Sequence, residues 1–225
     1  MLPLVLDPFA RHTDMLWRWF SVVAALAAST AVAQTPRLEV EPIVGYYRPL
    51  GHFVDKYIFA TNLPDAPQDL SGVAYGLELR SWFRSRWGAS LGAVVRPGEI
   101  PETSTPGGPR GPYAFLVQMV NAQALYNVAG SPNVHHTWVS AGVGLVRHGG
   151  VAYAPYETRT EIAGAFGVAR ERRVSSHLGL TVGANLSVYE HDIPLPPVAA
   201  KNPGRLEHGL QEDLLLHIGI SYVRR

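Results

Sequence analysis

Apolar residues recur at every second position through the last part of the chain. Leu214, Leu216, Ile218, Ile220 and Tyr222 alternate with Asp213, His217, Gly219 and Ser221, and Leu215 is the one exception. A period of two means an extended strand with one apolar face. In a soluble sandwich the apolar face looks inward and the other face carries charges into water. Here the second face is mostly glycine, serine and single polar groups, which suits the cramped inside of a small barrel. The same texture returns along most of the chain and predicts a closed barrel whose apolar outside meets lipid.

The pattern predicts eight strands, at about 37–50, 73–84, 87–97, 113–128, 136–148, 158–170, 175–190 and 209–223. In the second, Tyr75, Leu77, Leu79 and Phe83 oppose Gly76, Glu78 and Arg80. In the fifth, Val139, Ala141, Val143 and Leu145 oppose Ser140, Gly142 and Gly144; in the seventh, Leu180, Val182 and Leu186 oppose Gly179, Gly183 and Asn185. The fourth has Val117 and Met119 in one parity and Ala122 and Tyr126 in the other, and a bulge near Val120 would reconcile them.

Long and short connections alternate. The long ones are 51–72, the proline- and glycine-rich 97–112, 149–157 and 191–208; the short ones fall at Ser85-Arg86, 130–133 and 171–174. Long loops on one side and tight turns on the other are expected of an outer-membrane barrel with both termini in the periplasm. The aromatic residues are then expected in two girdles. Tyr46, Tyr47, Tyr75, Tyr113, Phe115 and Tyr189 would lie at the outer interface, and Trp82, Phe83, Trp87, Tyr126, Trp138 and Tyr222 at the inner one. Phe166, near the middle of its strand, breaks that rule.

Composition narrows the picture. The 225 residues include 22 glycines, and only 16% are charged, which fits a membrane barrel better than an average soluble domain. The absence of cysteine excludes disulfides and thiolate chemistry, and a net charge of +1 gives no electrostatic case for nucleic acid. Arg18, the apolar run from Phe20 to Ala28, and Ala31-Val32-Ala33 before Gln34 read as an export signal over 1–33, with Met15 as an alternative start. The apolar run is shorter than the roughly 20 residues a spanning helix needs. Residues 34–225 are then the barrel.

With these residues in view, the chain resembles the OmpA-type eight-stranded transmembrane barrels. The likeness is one of pattern over roughly 37–223, and it is close in residues only in the final strand, Asp213 to Tyr222. It implies an all-β, antiparallel, up-and-down barrel in the outer membrane of a Gram-negative-type cell. It also implies assembly by machinery that reads a terminal aromatic residue. This chain departs from that pattern by placing Val223-Arg224-Arg225 after Tyr222. No peptidoglycan-binding domain is expected after the barrel.

The candidate site residues are the ionisable groups on the inward parity: Glu39, Glu41, Glu78, Arg80, Glu161, Asp213 and His217. Eight strands leave room for little more than side chains, so these groups are expected to pair and fill the lumen as a structural network. No cofactor and no metal site is expected. Adjacent His135 and His136 would point to opposite faces and could not clasp one ion. His191-Asp192 and Glu207-His208 bracket the last loop, but Ser187 is the nearest candidate nucleophile and no nucleophile–base–orienter set can be assembled. Arg170-Glu171-Arg172-Arg173 reads as a solvated turn, and Tyr57-Ile58-Phe59 as an apolar cluster in the first outer loop. The expectation is a monomer without catalysis, with a structural or surface-interaction role. The alternatives are a narrow, porin-like channel or small-hydrophobe transporter, a barrel enzyme acting on lipid, and a secreted ligand-binding barrel.

Overall fold

Strict alternation of aliphatic with small or polar residues gives each strand two unlike faces, and the sheet they build closes on itself. The computed structural model describes residues 37–50, 70–83, 86–100, 103–105, 108–110, 113–131, 134–150, 160–194 and 206–224. The segment read as an export signal, the Tyr57-Ile58-Phe59 cluster and most of the long connections lie outside the described residues. The described residues contain ten strands: β1 (Arg37–Pro49), β2 (Gly72–Trp82), β3 (Trp87–Ile100), β4 (Thr103–Thr105), β5 (Gly108–Arg110), β6 (Tyr113–Ser131), β7 (His135–Gly149), β8 (Thr160–Arg173), β9 (Leu178–Pro194) and β10 (Leu206–Arg224).

Eight of them form a closed antiparallel barrel in the order β1-β10-β9-β8-β7-β6-β3-β2, with β2 pairing back onto β1. Every strand but the first therefore lies beside its barrel predecessor in sequence, an up-and-down barrel. Closure gives each backbone N–H and C=O a partner on a neighbouring strand and leaves no sheet edge, which is the condition for crossing lipid. The short β4 and β5 pair with each other as a separate ribbon, so the connection read as 97–112 is partly strand. β3 itself runs on to Ile100.

Side-chain direction follows the alternation. On the outside, Ile162 is 73% exposed, Val143 63% and Val182 57%, and Leu216, Ile218 and Ile220 are exposed beside them. On the inside of the same strands lie Ala163, Gly142, Gly183, His217 and Gly219. Glycine is needed where β6 and β7 approach, because a Cβ at Gly142 would collide with the Ala122 carbonyl oxygen. Gly130, at φ +81°, turns the chain out of β6 in a conformation few other residues adopt.

Three expectations need correction. The irregularity in β6 lies between Asn127 and Ala129, near the turn, and the register from Leu116 through Val120 to Asn127 is unbroken. Phe115, Val117 and Met119 therefore point inward with Gln123 and Leu125, and Ala122 and Tyr126 lie on the other face. The conflicting parity arose because both faces of this strand are apolar. Second, β8 continues through Arg173 and turns at 174–177, so the charge run is strand: Glu171 and Arg173 face inward, and Arg170 and Arg172 outward. In the turn, the Ser175 hydroxyl accepts hydrogen bonds from the N–H groups of His177 (3.3 Å) and Leu178 (3.1 Å). Third, the girdles are thinner than read. Tyr46 and Tyr75 do stand outward at the loop end, as do Trp87 and Tyr222 at the turn end. Tyr47, Trp82, Phe115, Trp138 and Tyr189 instead point into the lumen and are buried.

Candidate functional site

The inward faces of β1 and β2 carry Glu39, Glu41, Glu78 and Arg80, and antiparallel register sets Glu39 opposite Arg80 and Glu41 opposite Glu78. Arg80 is fully buried and acts as a hub. Its Nε lies 3.2 Å from Glu39 Oε2, and its Nη2 donates to Glu171 Oε2 at 2.9 Å and to Glu41 Oε2. Thr181 on β9 donates to the same Glu41 oxygen at 2.6 Å, and Ser221 on β10 donates to Glu171 Oε2 at 3.0 Å. Arg173 adds contacts to Glu39 (2.5 Å) and Glu171 (2.8 Å), and Arg37 reaches Glu39 at 2.8 Å. In the strand order β2 and β8 stand four places apart in both directions. The Arg80–Glu171 pair therefore crosses the full width of the barrel.

Aromatic rings back this network on the turn side. The Arg80 guanidinium carbon sits 4.6 Å from the centre of a Trp138 ring. His136 stacks on Trp138 at 4.8 Å, and Trp82 meets both edge-on at 5.1 and 5.9 Å. As expected, His135 and His136 part to opposite faces. His136 is buried among these rings.

The loop-end half of the lumen has a different chemistry. Ile43, Val94, Val117, Met119, Val146 and Leu215 form one buried apolar cluster with Tyr47 and Phe115. Into it reaches a polar chain: Tyr189 donates to Asp213 Oδ2 at 2.8 Å, Gln211 donates to Asp213 Oδ1 at 3.0 Å, and Tyr189 Oη lies 3.3 Å from His148 Nε2. His148 Nδ1 is 3.7 Å from Glu161. Of the seven residues picked from sequence, Glu39, Glu41, Glu78 and Arg80 thus come together near the turn end, with His217 beside Glu41 and Glu78. Asp213 and Glu161 belong to the second group. Arg37, Glu171, Arg173, Tyr189 and His148 were missed, although the parity of their own strands pointed inward.

Of the two bracketing pairs considered for catalysis, His208 lies opposite Asp192, whereas Glu207 lies opposite Ile193 and His191 opposite Gly209, and the side chains of His191, Asp192, Glu207 and His208 lie outside those described. Ser187 faces the lumen one strand from Asp213. Ser176 Oγ lies 2.8 Å from His177 Nδ1. These two are exposed neighbours in the β8–β9 turn with no carboxylate contact among the described residues, so the bond belongs to the turn.

No family model matches the chain, and no curated protein matches it. Solved structures do. The outer membrane protein OprG of Pseudomonas aeruginosa superposes with a TM-score of 0.51 at 11% identity, over 84% of this chain and 95% of that one. The chain shares its fold. Ail of Yersinia pestis matches with a TM-score of 0.48 at 12% identity (84% and 98% covered), and the Neisserial surface protein NspA with 0.47 at 10% (82% and 96% covered).

Proposed function

We propose that the protein is an outer-membrane β-barrel, delivered by a cleaved signal over 1–33, with a structural or surface-interaction role and no catalysis. One observation carries the reading: the outside of the barrel is a continuous apolar surface from Val143 and Ile162 through Val182 to Leu216 and Ile218. Exposed apolar patches on soluble monomers rarely exceed a few hundred Å². A belt around a closed barrel is instead what hydrocarbon requires. The ion pairs across the lumen support a closed interior, since eight strands enclose room for side chains and these side chains span it. Any surface role then belongs to the loops at the end opposite the tight turns. Lipid and the outer-membrane assembly machinery are the partners this reading implies, and a monomer suffices because closure leaves no edge to pair.

A second reading, a path for small hydrophobic molecules, is favoured by the apolar loop-end half of the lumen above the charged layer. Such a path would have to leave the barrel before Arg80.

Membrane fractionation of expressing cells, followed by N-terminal sequencing of the recovered protein, tests the principal reading. The protein is expected in the outer-membrane fraction, extractable only by detergent, with a mature terminus of Gln34-Thr35-Pro36. Recovery from the soluble fraction, or a terminus at Met1 or Met15, would contradict it.

A further inference from the structure

Glu41 on β1 and Glu78 on β2 stand directly opposite each other in register, both facing the lumen. Like charges so placed repel. His217 on β10 completes a group in which one donor atom from each of the three residues lies within 4.8 Å of the others. Of this group the surrounding ion pairs reach only Glu41, through Arg80. Among the described residues, Arg37, Arg80 and Arg173 pair with Glu39, Glu41 and Glu171, and no ion pair reaches Glu78. Among the described residues that layer holds four carboxylates, Glu39, Glu41, Glu78 and Glu171, and three guanidinium groups.

Two further observations point to an occupant. Glu41 gives its Oε2 to Arg80 and Thr181, whereas its Oε1 is buried with no hydrogen-bond partner. The Glu41 and His217 side chains also lie over glycines. A Cβ at Gly219 would collide with the Glu41 carboxylate, and one at Gly183 would meet the His217 ring at 2.6 Å. Gly219 thus leaves room for the Glu41 carboxylate, and Gly183 for the His217 ring.

We propose that Glu41, Glu78 and His217 bind a divalent first-row metal ion of the zinc, manganese or ferrous class. Two carboxylate oxygens and one imidazole nitrogen suit such borderline ions. Calcium and magnesium favour shells made of oxygen alone, so the histidine argues against them. The ion supplies the missing positive charge and relieves the facing glutamates. Its ligands come from β10, β1 and β2, so it ties the last strand to the first two across the barrel's closing seam.

The test uses tag-free protein refolded in detergent, stripped with chelator and titrated with zinc chloride, with folding checked by the mobility shift between unheated and heated gel samples. About one tightly held ion per folded chain is expected. Glu78→Gln and His217→Ala should each weaken binding about tenfold or more, while His135→Ala on the outer face leaves it unchanged. Cobalt loading of the unsubstituted protein is a second readout, independent of whether the variants fold: intense visible bands of low-coordinate cobalt with a nitrogen ligand are expected. No ion retained, equal affinity in all folded variants, or only the weak spectrum of aqueous cobalt would overturn the site.

Discussion

Replacing Arg80 with alanine is expected to destabilise the folded barrel by about 3–5 kcal/mol, because it strands buried carboxylates without their cation. Glu39, Glu41 and Glu171 all touch Arg80, and Trp138 packs on its guanidinium. Most of the cost lies in the charges left behind rather than in the lost pairs. Arg80→Met combined with Glu41→Gln and Glu171→Gln should therefore recover much of the stability, since it removes both signs together. Urea unfolding in lipid vesicles measures both variants. The same protein in planar bilayers should be silent when unsubstituted and show open events as Arg80→Ala, because the Arg80–Glu171 pair that crosses the lumen is gone. A loss below about 1 kcal/mol, or steady conductance with Arg80 in place, would mean that these pairs neither hold nor close the interior.

The second large effect concerns the outer face. Arginine at Leu216 or Val182 should cost about 2–4 kcal/mol where those residues sit near the bilayer midplane. Arginine at Leu178, the first residue of β9, should cost about 0–1 kcal/mol, because the interface is close and the side chain can reach it. Outward Arg172 already stands near that end, opposite Leu180, and outward Arg170 stands opposite Val182, so the cost at Val182 should fall below that at Leu216. The gradient is the informative quantity. Equal costs at the three positions would mean that no hydrocarbon slab surrounds the barrel.

Architecture was legible because alternation fixes faces. The parities of β2, β7, β9 and β10 identify which residues look inward, and the alternation of long and short connections orders the strands as neighbours. Leu215, the exception in the closing strand, is an inward residue that packs in the apolar half of the lumen. What the sequence concealed has a common cause. The interior is not uniformly polar, so hydrophobicity alone cannot separate inside from outside in β6, where Phe115, Val117 and Met119 fill the lumen. Aromatic residues near strand ends were placed by depth alone. Tyr47, Trp138 and Tyr189 share the parity of Glu39, Ser140 and Gly183, and that parity assigns them inward. Glu171 and Arg173 were hidden because a run of charges reads as a turn. Only the pairing of β8 with β7 and β9 shows that it is strand.

Two groupings could not be read from one strand at a time. The Arg80–Glu171 bridge joins residues on opposite walls, and the Glu41–Glu78–His217 group depends on the register across the seam. Both require strand order and shear, which alternation does not specify.

The most direct test of a lipid-facing exterior is relaxation of spin labels in refolded protein in bilayers. Labels at Val143, Val182 and Ile218 should be accessible to dissolved oxygen and shielded from a water-soluble nickel relaxant, while a label at exposed Val174 in the β8–β9 turn shows the reverse. Labels at Val143, Val182 and Ile218 relaxed by nickel as strongly as the one at Val174 would place that face in water and contradict a transmembrane barrel.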